Sequence, residues 1–373
     1  MNIPVFNDLW NKFVIIAIRT FFRILVVFWK QSGRKALNDV ERILIVTTTA
    51  IGDTVMATPA IRAIRKRYPD AFLAALADRR RFEILLDNPN LDGVFVYHGK
   101  FKKLLRLVSE LRRYKFDLTI ILHGNDPDIV PISYVTGAQI RVGWAESKLS
   151  FLLTKPVKRA EGMEHSVDHK LRILKEIDIE PDGKHSEIFF SPEDKEYYHH
   201  LAGKYNIDEG DLLIGIHTFG SRPAKWWSLH RMAELGDQLF DKYNARLILF
   251  GGAKEKERYN EVLPLMKGSP LVLSGHTSLK ESAYIIKRCN LFITTDSGPM
   301  HLSFAVGTPT ICLFGPENAS IFGPYFNRDR NIVIQKEVDC NSHCKIKRCD
   351  HHLCMDKILV SDVLTATHEI IGG

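Results

Sequence analysis

Short runs of apolar, often β-branched residues alternate with longer amphipathic stretches along most of the chain, beginning at Arg42. In the first half, the runs that we predict to be strands are RILIVTTT, AFLAALAD, GVFVYH, DLTIILHG and IRVGW. Helical spacing marks TPAIRAIRKRY, KKLLRLVSELRRY and, in a connecting region, HKLRILKEI. Strands that alternate with amphipathic helices are typical of βαβ units, so the pattern predicts an α/β fold with a parallel sheet.

The same alternation begins again near residue 211, with strand-like DLLIGIHTFG, ARLILFGG, VLSG, LFITTDSG and TPTICLFG around the helix-like SLHRMAELGDQLFDKY and LKESAYIIKRC. We therefore predict two doubly wound, Rossmann-like domains, residues 39–190 and 191–373, after an N-terminal segment of residues 1–38. In open parallel sheets, ligands bind beyond the carboxyl ends of the strands. The candidate sites are the loops that follow Val46, Ile216, Phe250 and Ile293.

The N-terminal segment LWNKFVIIAIRTFFRILVVFWKQ is strongly apolar but is interrupted by cations at spacings of 7, 4 and 7 residues. At about 100° per residue, a helix places these cations on one stripe. We interpret the segment as an amphipathic helix in the interface of an anionic membrane. A membrane span would bury two arginines, at about 2.5–3.5 kcal/mol each, and a signal peptide would need an uncharged core. A domain-packing helix is the other alternative. The membrane-contacting cations are Lys12, Arg19, Arg23 and Lys30.

Composition narrows the choice of partner. The chain has 373 residues, of which 45% are hydrophobic and 25% charged, and a net charge of +7. This is an ordinary globular composition, long enough for about two domains. The positive charge favours an anionic partner such as a membrane surface, a phosphorylated lipid or a nucleotide. We expect no nucleic-acid partner, because the sequence has no RNP-like motif, zinc-finger spacing or helix-turn-helix.

The loop TTTAIGD follows the first predicted strand and places Gly52 and Asp53 at the start of a helix. It matches neither the GxGxxG pattern of dinucleotide-binding folds nor the phosphate-binding GxxxxGK[ST] pattern. Gly52 permits a close approach of substrate or a positive φ. Asp53 has two interpretations. It caps the helix, or it acts as a general base toward a substrate hydroxyl within hydrogen-bond reach.

Two loops of the second half carry candidate groups for a nucleoside diphosphate. In HTFGSRPAKWWSL, Thr218, Ser221 and Lys225 follow a strand, and a cation there stabilises a departing diphosphate. In GGAKEKE, Glu255 is a candidate acceptor for ribose hydroxyls. The alternative for the lysine and the glutamate is an ordinary solvated surface charge.

The segment TDSGPMH again links a strand to a helix. Asp296 and Ser297 are candidate helix caps, and Gly298 permits close approach of a phosphate to the exposed N–H groups. His301 falls on the first turn, so it points toward the same space, unless it is a satisfied core histidine.

Taken together, these loops resemble those of glycosyltransferase family 9, the ADP-heptose:lipopolysaccharide heptosyltransferases. The resemblance implies the GT-B fold, in which two Rossmann-like domains face a central cleft. The stretches that carry it, in order, are ILIVTTTAIGDTVMATPAIRAIRKRYPDA, FDLTIILHGN, IRVGW, GSRPAKWWSL, LILFGG and TTDSGPMHLSFAVGTPTICLFGP.

The resemblance also implies roles for single residues. Asp53 corresponds to the general base that deprotonates the acceptor hydroxyl, and Lys225 to the lysine that contacts the donor phosphates. The residues expected to line the donor site are Asp296, Ser297, Gly298 and His301.

The implied reaction is inverting, metal-independent transfer of heptose from ADP-heptose to a lipopolysaccharide core or related lipid-linked glycan, with no cofactor required for catalysis. A lipid-linked acceptor suits a cytoplasmic protein that is peripheral on the inner face of the inner membrane. Three alternatives remain: a family member with another nucleotide-sugar donor, a nucleotide-sugar epimerase of the same fold, and a non-enzymatic protein that binds lipid-linked glycans.

A cysteine cluster, CNSHCKIKRCDHHLC, lies near the C-terminus. Its spacing is not that of a standard zinc ribbon, and a cytosolic location disfavours stable disulfides. The alternatives are a structural zinc or iron site and unligated or redox-variable thiols. The candidate ligands are Cys340, Cys344, Cys349 and Cys354.

Overall fold

The computed structural model describes residues 16–26, 35–124, 126–326, 329–340, 349 and 351–372. Two six-stranded sheets organise these residues, and every strand pair within them is parallel. The predicted α/β fold with two doubly wound sheets is confirmed. The domain boundary at residue 190 stays a prediction, and the two sheets lie on either side of it.

The first sheet has the strand order β3-β2-β1-β4-β5-β6. Its central strand β1 is almost entirely buried, as expected for a parallel strand covered by helices on both faces. The order reverses direction between β1 and β4, so the loops after these two strands meet at a topological switch point. The strands are β1 Arg42–Thr47, β2 Phe72–Asp78, β3 Gly93–Tyr97, β4 Leu118–His123, β5 Ile140–Trp144 and β6 Lys155–Val157.

The second sheet has the order β12-β11-β10-β7-β8-β9. Its switch point lies between β10 and β7, which brings the loops with Asp296 and Lys225 together. Of the predicted strand VLSG, Val272 alone lies in a strand, the two-residue β9. The strands are β7 Leu213–His217, β8 Arg246–Leu249, β9 Leu271–Val272, β10 Leu291–Thr295, β11 Thr310–Phe314 and β12 Asn331–Gln335.

Helices cover both faces of each sheet, and all five stretches that have helical spacing in the sequence lie in them. Those in the first half are Ile51–Val55, Thr58–Arg67, Leu104–Arg113, Ile129–Val135 and Ser166–Lys175. Those in the second half are Pro192–Tyr205, Leu229–Tyr243, Ala253–Tyr259, Leu279–Arg288, Gly298–Val306, Ala319–Phe322, Leu353–Asp356 and Val360–Ile371.

The two halves touch directly beside the switch points. A Cβ built on Gly52 would lie 2.4 Å from His301 Cδ2, and one built on Gly298 would lie 2.9 Å from Ile51 Cβ. The helices Ile51–Val55 and Gly298–Val306 therefore approach closely because each carries a glycine at the contact.

Polar contacts between the halves flank this point on both sides. On one side, Glu83 Oε1 accepts a hydrogen bond from Leu279 N–H at 2.7 Å, and Lys280 pairs with Asp87. On the other side, His165 Nε2 donates to the Gly323 carbonyl at 3.1 Å. These contacts close the ends of a cleft between the two sheets.

Residues 16–26 are helical and pack by one face against the first half. Phe22 is buried there, edge-on to Tyr134 at a centroid distance of 6.0 Å. The opposite face leaves apolar side chains in solvent: Ile16 is 61%, Phe21 59% and Ile24 55% exposed. Part of this helix thus packs on the domain, as the alternative interpretation expects. Lys12 and Lys30 lie outside the described residues, and no described helix is long and apolar enough to cross a membrane.

Candidate functional site

A cavity of about 510 Å³ lies in the cleft, at the carboxyl ends of both sets of strands. Two other cavities of about 520 and 500 Å³ lie at the amino ends of the second sheet's strands and contain none of the predicted site residues. The predicted residues that line the cleft cavity are Gly52, Asp53, Ser221, Lys225, Glu255, Asp296, Ser297, Gly298 and His301.

Thr218 does not line the cavity. It is buried behind the wall, where its carbonyl accepts a hydrogen bond from Trp227 N–H at 2.9 Å. Its role as a donor-binding residue stays a prediction, although β7 ends at His217 and the Thr218 side chain that follows is buried. His217, which lines the cavity instead, was missed.

Asp53 is the third residue of the helix Ile51–Val55 and is held from both sides. Its Oδ2 accepts a hydrogen bond from Thr49 Oγ1 at 2.9 Å and a long one from Ala50 N–H at 3.4 Å. Its Oδ1 lies 3.2 Å from Lys170 Nζ and 3.6 Å from His123 Nε2. The long contact to Ala50 is a helix-capping interaction, so the capping interpretation is partly correct. The partners on Oδ1 go beyond what capping requires.

Lys170 was not singled out by the sequence analysis. It lies 117 residues from Asp53, on the helix Ser166–Lys175, and is fully buried. Besides Asp53, its ammonium group contacts Ser166 Oγ at 3.2 Å. A signal was present in the sequence, because Lys170 falls on the apolar face of this helix between Val167 and Leu174. A cation at a core position requires an anionic partner.

These contacts fix the charge states of Asp53 and His123. Burial alone raises the pKa of Asp53, but Lys170, His123 and the Thr49 hydroxyl together outweigh it and hold this pKa well below its usual range. Burial lowers the pKa of His123 to about 4 despite the neighbouring carboxylate. At neutral pH, Asp53 is therefore ionised and His123 is neutral, hydrogen-bonded through Nδ1 to Thr49 Oγ1 at 2.5 Å.

Replacement of Lys170 by Met tests this arrangement. Without the ammonium group, burial dominates, so we expect the pKa of Asp53 to rise. Because only the ionised carboxylate accepts a proton, kcat should then fall as the pH drops from 7 to 5, whereas the native kcat should stay flat over this range. At pH 7 the loss should be about 10-fold. The measurement is a pH profile of kcat. A uniform loss at every pH would show that Lys170 has only a structural role.

Lys225 provides the main cation of the second half. Its Nζ lies 2.6 Å from Asp296 Oδ2 and 3.3 Å from Glu317 Oε1, and its side chain is mostly buried. A lysine ammonium has three N–H donors, so one remains for a phosphate oxygen. Close packing of the Lys225 side chain against Gly220 fixes its direction, since a Cβ on that glycine would lie 2.8 Å from Lys225 Cβ.

The helix Gly298–Val306 begins at the cavity without a side-chain cap. The prediction that Asp296 and Ser297 cap it was wrong. The Asp296 carboxylate pairs with Lys225, and Ser297 Oγ faces His217 Nδ1 at 3.2 Å. The first N–H groups of this helix consequently have no side-chain acceptor, and such groups bind anions.

Glu255 lies at the rim of the cavity, but one of its oxygens is engaged. Oε2 accepts the N–H of Gly252 and caps the helix Ala253–Tyr259. This leaves Oε1 for a contact with ribose hydroxyls, which stays a prediction. Ser221 is exposed at the opening of the cavity.

His301 and Gly52 form the bridge between the two halves of the site. His301 is buried, and burial lowers its pKa to about 4, so the ring is neutral at pH 7. The prediction of a positive φ at Gly52 was wrong, whereas the close approach of substrate to this glycine stays a prediction. Gly52 has no positive φ, and the group that approaches its backbone is the His301 ring.

Replacement of Gly52 by Ala should separate Asp53 from the donor side. Since the new Cβ would lie 2.4 Å from the buried His301 ring, the ring or the two helices must shift, and we expect kcat/KM to fall about 10- to 100-fold. A matched control is Gly203→Ala, another helical glycine, which has open space around it. Steady-state kinetics of both variants check this prediction. An equal effect of the two substitutions would contradict it.

The C-terminal cysteines remain only partly described, because Cys344 lies outside the described residues. Cys354 is buried beside the end of β11, and Cys340 and Cys349 are half-buried. Among the described residues, no group of three or more His, Cys, Asp or Glu side chains is arranged to hold a metal ion. The structural metal at this cluster stays a prediction.

Comparisons with known proteins find similar sequences and similar folds. The sequence profile of glycosyltransferase family 9 (heptosyltransferase) matches residues 104–351. Lipopolysaccharide heptosyltransferase 2 of Escherichia coli K12 is 24% identical over 313 residues, which cover 79% of this chain and 88% of that protein.

Two solved structures share the fold. A glycosyl transferase family 9 protein from Veillonella parvula has a TM-score of 0.78 and 24% identity, with coverage of 89% of this chain and 98% of that one. The Escherichia coli ADP-heptose lps heptosyltransferase II has a TM-score of 0.74 and 22% identity, with coverage of 88% and 98%.

Proposed function

The chain belongs to glycosyltransferase family 9, and from this premise we propose that it transfers heptose from ADP-heptose to a lipopolysaccharide core or a related lipid-linked glycan. The observation that carries the proposal is the composition of one cavity. An ionised carboxylate, Asp53, enters from the first half. The Lys225 ammonium and an uncapped helix start enter from the second half.

These groups match the two charges that develop during glycosyl transfer. The acceptor hydroxyl oxygen attacks the anomeric carbon of the heptose while the bond from that carbon to the diphosphate oxygen breaks. The hydroxyl proton passes to Asp53, and the diphosphate leaves with both electrons of the broken bond. Lys225 and the Gly298 N–H group at the start of the helix stabilise the negative charge on the leaving group. Attack opposite the leaving group inverts the anomeric centre.

A carboxylate with a low pKa is a weak base, but the reaction does not require a strong one. As the new bond forms, the acceptor oxygen becomes positively polarised and its proton becomes acidic. Proton transfer to Asp53 is then favourable late in the step. The low pKa keeps the carboxylate ionised, and Lys170 and Thr49 hold it in one orientation. About four lone-pair positions on a carboxylate leave room for the acceptor hydroxyl.

Metal independence is part of the proposal. Support for it comes from the positive groups already present at the expected diphosphate position, the Lys225 ammonium and the helix N-terminus. Support for the donor comes from the family, since a solved protein with this fold is named an ADP-heptose heptosyltransferase.

A donor panel tests the proposal. The native protein is incubated with heptose-deficient lipopolysaccharide in the presence of EDTA, and release of nucleoside diphosphate is measured for ADP-heptose and for other nucleotide sugars. We expect release from ADP-heptose that requires the acceptor and is unchanged by EDTA. Release from another nucleotide sugar alone would show that ADP-heptose is not the donor. Loss of release in EDTA would show that the reaction requires a metal ion.

We also propose a peripheral position on the cytoplasmic face of the inner membrane. A lipid-linked acceptor requires the cleft to reach a membrane surface. The helix at residues 16–26 supports this position, because its outward face combines exposed apolar side chains with exposed Arg19 and Arg23. Such a face fits the boundary between headgroups and acyl chains.

A further inference from the structure

Residues 99–106 comprise the loop after β3 and the first turn of the helix Leu104–Arg113, and we call this segment the basic loop. It forms a second surface that combines cations with exposed apolar side chains. The segment GKFKKLLR contains no acidic residue. Leu105 is 87% exposed, the largest value among the large hydrophobic side chains of the described residues, and Phe101 is also exposed. The cations of the basic loop are Lys100, Lys102, Lys103 and Arg106, and all four are exposed.

The backbone of the basic loop is held in an unusual conformation. Phe101 and Lys103 have φ values of 58° and 51°, in the left-handed region that residues with side chains seldom adopt. Two hydrogen bonds to buried Asp128 support this conformation, from Phe101 N–H at 2.8 Å and from the Tyr97 hydroxyl at 2.8 Å. These hydrogen bonds therefore hold the backbone in the conformation that leaves Phe101 exposed.

The position of the basic loop relates it to the acceptor side of the cleft. It follows β3, so it lies at the same edge of the first sheet as Asp53, which follows β1. Asp128, which holds the loop, follows β4 and its last residue His123, a neighbour of Asp53.

The N-terminal helix packs on the same face of the first sheet as the helix that the basic loop begins. Phe22 from the first helix and Leu107 from the second belong to one apolar cluster. The outward sides of the N-terminal helix and of the basic loop therefore lie on the same face of the first half.

The four cations of the basic loop have no carboxylate partner within ion-pair distance in the part of the chain that the structure describes. Burial and then the charges of Lys103, Arg79 and Arg106 lower the pKa of neighbouring His98. Clustered cations repel one another unless an anionic surface is near.

We propose that the basic loop docks on the anionic headgroups of a lipid bilayer, as a second membrane contact beside the acceptor side of the cleft. Its lysines and arginine bind headgroup phosphates, while Phe101 and Leu105 enter the acyl boundary. The exposed apolar residues among the cations favour a bilayer over a free anion. The inference rests on the proposed function, because a lipid-linked acceptor would then reach Asp53 from the membrane on which the loop rests.

Vesicle sedimentation of the full chain tests this surface. The vesicles are made of phosphatidylglycerol and phosphatidylcholine in equal parts, with pure phosphatidylcholine as the neutral comparison.

The test variant replaces the four cations of the basic loop by Gln, and a second variant is Phe101→Asn with Leu105→Asn. The N-terminal helix is tested by Gln at Lys12, Arg19, Arg23 and Lys30. The matched control removes the same charge from exposed helix positions of the second half, by Gln at Lys195, Lys204, Lys242 and Lys254.

We expect the test variant to bind anionic vesicles about 10-fold more weakly than the native protein. The Phe101 and Leu105 variant should also bind more weakly, and the matched control should change less than 2-fold. If the test variant and the control lose binding equally, net charge alone accounts for it and the inference is wrong.

Donor release with a deacylated, soluble acceptor separates the two proposals. It should be unchanged in the basic-loop variants if the proposed function holds. A native protein that binds anionic vesicles through the basic loop but transfers no heptose would contradict the proposed function alone.

Discussion

Replacement of Asp53 by Asn should lower kcat for heptose transfer by about 10³-fold, within the range expected for loss of a general base. The amide has nearly the shape of the carboxylate but cannot accept the hydroxyl proton. The proposed donor contacts lie in the other half of the cleft, so the Kd for ADP-heptose should stay within about 2-fold of the native value. Steady-state kinetics and equilibrium donor binding check the two parts separately.

The control for this substitution is Asp168→Asn. Asp168 is also ion-paired and partly buried in the first half, with Lys184 Nζ 2.8 Å away, but it does not line the cavity. The Asp53 variant also leaves the buried Lys170 without its carboxylate, so its thermal unfolding is measured and Asp53→Asn with Lys170→Met is examined beside it. If the double variant is folded and still transfers heptose at the native rate, Asp53 is not the base.

Replacement of Lys225 by Met should lower kcat about 10²- to 10³-fold, the magnitude seen when one preorganised donor to a developing anion is removed. The Lys225 ammonium lies between Asp296 and Glu317, so its loss has a second effect. Two carboxylates then face the diphosphate without a cation, and repulsion weakens donor binding as well. Both kcat and the Kd for ADP-heptose should change, unlike in the Asp53 variant.

Lys225→Arg distinguishes the charge from the geometry. Arginine keeps the cation but is larger and planar, and close packing against Gly220 leaves little room for it. We expect partial activity, between that of the native protein and that of the Met variant. Donor binding that is normal in Lys225→Met would place the diphosphate elsewhere in the cavity.

The sequence predicts the fold well because parallel α/β folds depend on local patterns. Buried strands such as RILIVT are nearly continuous apolar runs, and helices such as Leu104–Arg113 and Leu279–Arg288 have an amphipathic period. The positions of the loops at the strand ends follow from the predicted strands. Asp53, Lys225 and Asp296 were found because strands of a parallel sheet place their carboxyl ends at one edge.

The partners of these residues were harder to predict because they depend on which distant elements meet. Lys170 and His123 contact Asp53 from 117 and 70 residues away, and only the strand order and helix packing bring them there. The helix caps failed for a related reason. Asp296 and Ser297 have the correct residue types for capping, but tertiary partners, Lys225 and His217, bind their side chains instead.

The most direct test of the central claim is the mass of the acceptor after reaction. Heptose-deficient lipopolysaccharide is incubated with ADP-heptose and EDTA, once with the native protein and once with Asp53→Asn, and both the glycan mass and the released ADP are measured. We predict that the native protein adds heptose to the acceptor and releases one ADP for each heptose added, and that the variant does neither within the same time. Release of ADP without a gain in glycan mass, or an equal gain with the variant, would contradict the account.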